Sequence, residues 1–137
     1  KIAVFYNRDM YALKALQRLL PALGSHDVVL FHSAHIGYAN SRIPERLGAL
    51  GRFERELFTR MNNPASAVRS GSGLDALIAR YAHSDRRFQI HSGEGLHTLA
   101  DPELILSIRS GRIFKDDAIG LAQHGVLNLH SGILPTY

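Results

Sequence analysis

A chain of 137 residues with 45% apolar side chains is long enough for one domain with a sizeable core, and it has no apolar run of the ~20 residues that a membrane-spanning helix needs. Sixteen lysines and arginines against twelve acidic residues give a formal charge of +4, an excess that suits anionic ligands but forms no dense basic block for nucleic acid. Cysteine is absent, which excludes disulfides, a thiolate nucleophile and thiolate-ligated zinc.

The opening KIAVFYN has no charged leader or cleavage site, so it predicts a buried strand over 2–6 and a cytoplasmic protein. Asn7, Arg8 and Asp9 form the loop after it. Leu13, Leu16, Leu20 and Leu23 then make one apolar stripe of a helix, with Asp9 as its N-cap and Gly24 as its stop. A second strand is expected at 27–31, which completes a strand-helix-strand unit of the size of a right-handed parallel crossover. The loop after the first strand, YNRDMYA, contains no glycine, so neither a dinucleotide fingerprint nor a Walker loop is present. Arg8 and Asp9 are therefore read in two ways, as contacts to a substrate or as a solvated turn and helix cap.

Pro44 followed by Leu47, Leu50, Leu57, Phe58 and Met61 predicts a helix over 44–61. Residues 62–73, NNPASAVRSGSG, predict an exposed loop, and Leu74, Leu77, Ile78 and Tyr81 a further short helix. A third strand is expected at 88–91, and a strongly apolar fourth at 104–108 after the Asp101-Pro102 turn. A helix over 115–123 with Ile119 and Ala122 facing inward, His124 at its end, and a fifth strand from Val126 finish the pattern. Strands alternating with helices throughout predict a single domain over 1–137: a doubly wound, mostly parallel, Rossmann-like three-layer α/β sheet. Sites in such sheets lie at the carboxyl ends of strands, where Arg109 to Arg112 and His130 to Gly132 fall. Eight histidines include the pairs His32/His35 and His91/His97, but two imidazoles do not complete a zinc site, so no metal is expected.

The last stretch, GVLNLHSGILPTY, carries the most chemistry. In a strand, Asn128 and His130 point to the same side, ~6–7 Å apart. An amide is a neutral donor for a developing oxyanion, and imidazole titrates near neutral pH, a pairing suited to acyl transfer. The same two side chains can also simply satisfy each other at a strand end.

NLHSGILPTY, preceded by ILSIRSGRIFKDDAIGLAQHG, resembles the core of the folate-dependent formyltransferases, among them the methionyl-tRNA, glycinamide ribonucleotide and amino-sugar enzymes. The resemblance is specific over 103–137 and architectural before that, with Asn128, His130, Leu134 and Pro135 on the positions of the family's Asn-x-His and Leu-Pro. It implies formyl transfer from 10-formyltetrahydrofolate to an amine, with Asn128 and His130 holding the oxyanion and no metal. It also implies a pterin-binding loop at Gly111, Arg112, Ile113 and Phe114, in which Gly111 permits close backbone approach and Ile113 and Phe114 form an apolar wall. The bland alternative for that loop is a strand-to-helix turn with its apolar residues in the core. Ser131 and Gly132 join Arg8 and Asp9 as candidate contacts to the acceptor. Leu134-Pro135 is expected to be cis, and the family's catalytic aspartate to lie beyond Tyr137, so that 1–137 is expected to be an N-terminal catalytic domain incomplete at its carboxyl end. The acceptor expected first is an amino-sugar nucleotide or a small amine or hydroxylamine, because the chain shows neither a second domain nor a basic block, and the missing glycine-rich phosphate loop of the glycinamide ribonucleotide enzymes counts against that substrate. Methionyl-tRNA is the alternative, and a non-catalytic folate-binding or interaction module with a relic site is the alternative of another class.

Overall fold

The computed structural model describes residues 1–33, 45–61, 73–87, 99, 101–110 and 114–129. In chain order these form β1 (Ile2–Asn7), α1 (Met10–Ala22), β2 (Val28–Ser33), α2 (Glu45–Met61), α3 (Leu74–Tyr81), β3 (Ser84–Arg87), β4 (Leu104–Ile108), α4 (Asp116–Ile119) and β5 (Val126–Leu129). The five strands make one parallel sheet in the order β3-β2-β1-β4-β5. Helices pack against it as in a Rossmann-like three-layer fold, as the alternation of elements predicts.

All six residues of β1 are buried, so the strand supplies side chains to both cores. Ile2, Val4 and Tyr6 point with Leu30 and Ile108 toward Leu13, Leu16 and Leu20 of α1 and Leu74 and Leu77 of α3. Ala3 and Phe5 point the other way, with Phe31 and Ile105, against Leu99, Ala118 and Ala122. The rings of Phe5 and Phe31 stack at 4.9 Å there. A strand buried on both faces reads as a continuous apolar run, which is why IAVFY was recognisable.

Two local expectations are corrected, the helix over 115–123 and the bounds of the second strand, and a strand is found ahead of 88–91. β3 runs over Ser84–Arg87, paired from Val29↔Ser84 to His32↔Arg87, whereas 88–91, where it was expected, lies outside the described residues. SDRR lacks an apolar pattern because β3 sits at a sheet edge and exposes Arg86 to water. The helix expected over 115–123 is the single turn α4, in which Ala118 and the downstream Ala122 pack inward while Ile119 is 44% exposed. β2 begins one residue later than expected and extends to Ser33. Leu23 is the C-cap of α1, its N–H reaching the Leu19 and Leu20 carbonyls, and Gly24 follows it as the expected stop.

Where β5 begins, Gly125 has φ +76, a left-handed conformation that glycine adopts without strain. On the α1 side of the sheet, Leu127 and Leu129 are 61% and 57% exposed beside an open groove of about 1000 Å³ floored by Leu106 and Ile108. Among the described residues no helix is long and apolar enough to cross a membrane.

This asymmetry predicts a stability contrast. Leu16→Ala empties a fully buried position and should cost about 2–5 kcal/mol in urea denaturation. Leu127→Thr, on the exposed strand face, should change the same midpoint free energy by less than about 1 kcal/mol.

Candidate functional site

Strand order reverses between β1 and β4, so the carboxyl ends of these two neighbours flank the crevice where open α/β sheets take ligands. Asn7, Arg8 and Asp9 leave β1 there, and Arg109 and Ser110 leave β4. Arg109 has φ +50, a conformation that is costly for a residue with a side chain and persists only where its surroundings hold it. Three contacts do so. The Asn7 side-chain amide donates to the Arg109 carbonyl, the Arg109 Nε lies 3.1 Å from Asp9 Oδ2, and the guanidinium sits 4.6 Å from the centre of the Tyr11 ring.

Asp9 is shared between two tasks. Its Oδ1 accepts the Tyr11 and Ala12 N–H groups at 3.0 and 2.9 Å, as the expected N-cap of α1. Its buried Oδ2 pairs with Arg109 by charge, but the N–H is not aligned on it, so the oxygen keeps its hydrogen-bonding capacity. The Asn7 Oδ1 is also buried without a partner among the described residues. Each such acceptor costs roughly 1–3 kcal/mol of lost hydration, which makes two at one crevice an expensive arrangement.

A second polar cluster lies at the ends of β1, β2 and β3. Tyr6 and His32 stand opposite one another in register, and Leu30 stands opposite Asp85, so strand alternation puts all of Tyr6, His32 and Asp85 on the α1 face. His32 Nδ1 is 2.9 Å from Asp85 Oδ1, and the Tyr6 hydroxyl donates to Asp85 Oδ2 at 3.1 Å. A carboxylate only accepts, so Nδ1 carries the proton and Nε2 is left for another partner. Arg8 bridges outward, 3.9 Å from Asp85 and 2.5 Å from the exposed Asp75. Burial, and then the Asp85 charge, pushes the Tyr6 phenol well above its ordinary value.

The motif strand β5 is the other edge. Asn128 is exposed at its carboxyl end and stands opposite the buried Ser107 of β4, on the face that carries Phe5. On that same face the half-buried Phe114 meets Phe5 edge-on at 5.2 Å, which is the core role weighed for the loop 111–114. His130, Ser131, Gly132, Gly111, Arg112, Ile113 and the Leu134-Pro135 bond lie outside the described residues. Three strand spacings, about 14 Å, separate β5 from β2, so Asn128 and His32 cannot address one reacting atom.

Comparison of the chain with family models, curated proteins and solved structures finds no match. Its chemistry has to be read from its own residues.

Tyr6 and Asp85 were not singled out in the sequence, His32 was weighed only as a metal ligand with His35, and Arg109 was placed only by its position at the end of a strand. Alternation put Tyr6 and His32 at the polar ends of two apolar runs, which was a usable signal, whereas the pairing of β2 with β3 and the left-handed turn at Arg109 were not. Of the described residues, no group of three or more histidines and carboxylates is placed to hold a metal ion, and His32 spends its Nδ1 on Asp85.

Because the Tyr6 pKa is raised on folding, unfolding above about pH 10 releases a proton that the folded chain keeps. The stability from the buried phenol is therefore fully present below about pH 10 and is lost as pH rises further. In an alkaline titration followed by phenolate absorbance, one of the five tyrosines should ionise only as the protein unfolds, and Tyr6→Phe should remove that delayed fraction.

Proposed function

We propose that the protein transfers a formyl group from 10-formyltetrahydrofolate to an amine. The observation that supports this most is the position of Asn128, exposed at the carboxyl end of β5, in register with Ser107 and one strand away from the segment that leaves β4 toward Phe114. In the sequence, His130 follows two residues after Asn128 and the RSGRIF segment follows β4 directly, the two motifs on which the family resemblance rests.

The chemistry is a nucleophilic exchange at one carbon. The amine nitrogen attacks the formyl carbon and the carbonyl oxygen becomes an oxyanion. Asn128 donates its side-chain N–H to that oxygen, and His130 in its protonated form donates a second hydrogen bond. The tetrahedral centre then collapses: the bond to the folate N10 breaks, N10 takes up a proton, and the new amide nitrogen gives one up. Donors placed where charge develops stabilise the transition state more than the bound substrates, so they act on turnover more than on binding.

Two measurements on the full chain with 10-formyltetrahydrofolate and an amine acceptor test this. Asn128→Ala and His130→Ala should each lower turnover by about 10²–10³ while changing folate affinity little. The double variant should be less than additive, because both donors serve one oxygen. His124→Ala is the control, since His124 is exposed and its backbone N–H bonds the Glu103 carbonyl. Formyl transfer that survives loss of both Asn128 and His130, or calorimetry showing tight NAD binding and none of reduced folate, would overturn the assignment.

A further inference from the structure

We infer that the open groove beside α1 is the docking site for one amphipathic helix of a partner protein, apolar on its buried face and acidic on the flank turned toward α1. The groove lies on the face of β5 opposite Asn128, so the inference stands whatever reaction Asn128 serves.

This surface is built like the inside of a sheet and left uncovered. Leu127 and Leu129 stand opposite Leu106 and Ile108 in register, and the four form an apolar floor on the α1 side of β4 and β5. Parallel sheets are ordinarily covered on both faces, yet Leu127 and Leu129 are 61% and 57% exposed. Ala15, Leu19 and Ala22 of α1 form the wall, and about 1000 Å³ is open between wall and floor. The width suits one helix. Packed helices lie about 8–10 Å apart and strands about 4.8 Å, so a helix beside α1 spans two strands, which here are β4 and β5. The spacing along the floor fits as well: residues two apart in a strand are separated by ~6–7 Å, and helix side chains four apart by ~6 Å.

Handedness and charge narrow the occupant. α1 joins β1 to β2 on one face, whereas α4, between β4 and β5, runs the other way along the sheet and packs Ala118 on the Phe5 face. With right-handed crossovers the direction along the sheet decides the face, so a further crossover outward from β5 would add its helix on the Phe5 side and leave the groove open. Among the described residues, the ionisable groups that line the groove are Lys14 and Arg18, one turn apart on α1, exposed and in no ion pair. Potentials across an interface are complementary, so the flank facing them carries carboxylates. A second copy of the chain matches poorly. α2 exposes Leu50 and Phe53 at helical spacing, but its four arginines against three glutamates would bring like charge to Lys14 and Arg18.

The test uses two labelled helix-forming peptides of about 18 residues, long enough to hold a helix, with leucine on one face and either glutamate or lysine on the other. In fluorescence anisotropy with the full chain, the glutamate peptide should bind at least about tenfold more tightly than the lysine peptide, and added salt should narrow the gap. Its binding should slow amide exchange in β5 and leave β3, at the far edge, unchanged. Leu127→Thr combined with Leu129→Thr, which keeps strand propensity, should weaken the glutamate peptide at least about tenfold. Lys14→Glu combined with Arg18→Glu should reverse the preference. Equal binding of the two peptides, no binding, protection away from β5, or affinity unchanged in folded leucine variants would overturn the inference. So would a dimer of the natural chain in sedimentation velocity that the leucine substitutions dissolve, which assigns the groove to a second copy, or dodecanoate binding more tightly than the glutamate peptide, which assigns it to an acyl chain. If the variants do not fold, the peptide preference and the exchange pattern of the natural chain decide.

Discussion

Everything at the carboxyl edge depends on the complete burial of β1 and on the parity of its last two residues. With both faces of the strand covered, side chains must alternate between two cores, and the final pair, Tyr6 and Asn7, carries polar atoms to opposite sides of the sheet. Tyr6 joins His32 and Asp85 on the α1 side, while Asn7 fastens the Arg109 carbonyl across the crevice. A one-residue slip of β1 against its neighbours would put Phe5 or Asn7 in the place from which Tyr6 meets Asp85. Two parallel partners in fixed register on either side make that slip prohibitive.

The architecture was legible because this kind of sheet writes itself in long apolar runs. IAVFY and LILSI became β1 and β4, and the leucine stripe of 13–20 became the buried face of α1. Legibility failed at the edges. SDRR in β3 is polar since one flank and Arg86 face water, and α4 stops after a single turn although its apolar spacing runs on to Ala122. In the site, Asp9 was recognisable as a cap from residue type alone. Its second role depends on Arg109 adopting a positive φ, a property of the folded backbone that no spacing of residues encodes. Similarly, Asp85 and His32 are fifty-three residues apart, and only the pairing of β2 with β3 brings them to 2.9 Å.

The polar groups of this edge are arranged at the expense of stability. A left-handed arginine and two buried acceptors without donors among the described residues each oppose folding. The sheet tolerates them because they are gathered at its carboxyl end, beyond the packed layers formed by Leu13, Leu16, Leu20 and Leu30 on one side and Phe5 and Phe31 on the other. Local conflict of this kind in an otherwise consistent fold marks where a chain has been kept for something other than stability.

The strand order also sets how long each part of the edge stays closed. Protection of amide hydrogens follows the depth of the strand that carries them, so those of β1, paired on both sides, exchange with solvent only when the whole sheet opens. Those of the four-residue strands β3 and β5 open in partial, separate events. Asp85 and Asn128 lie on the strands at the two margins of the sheet, and Asn7 lies between them on the strand paired on both sides.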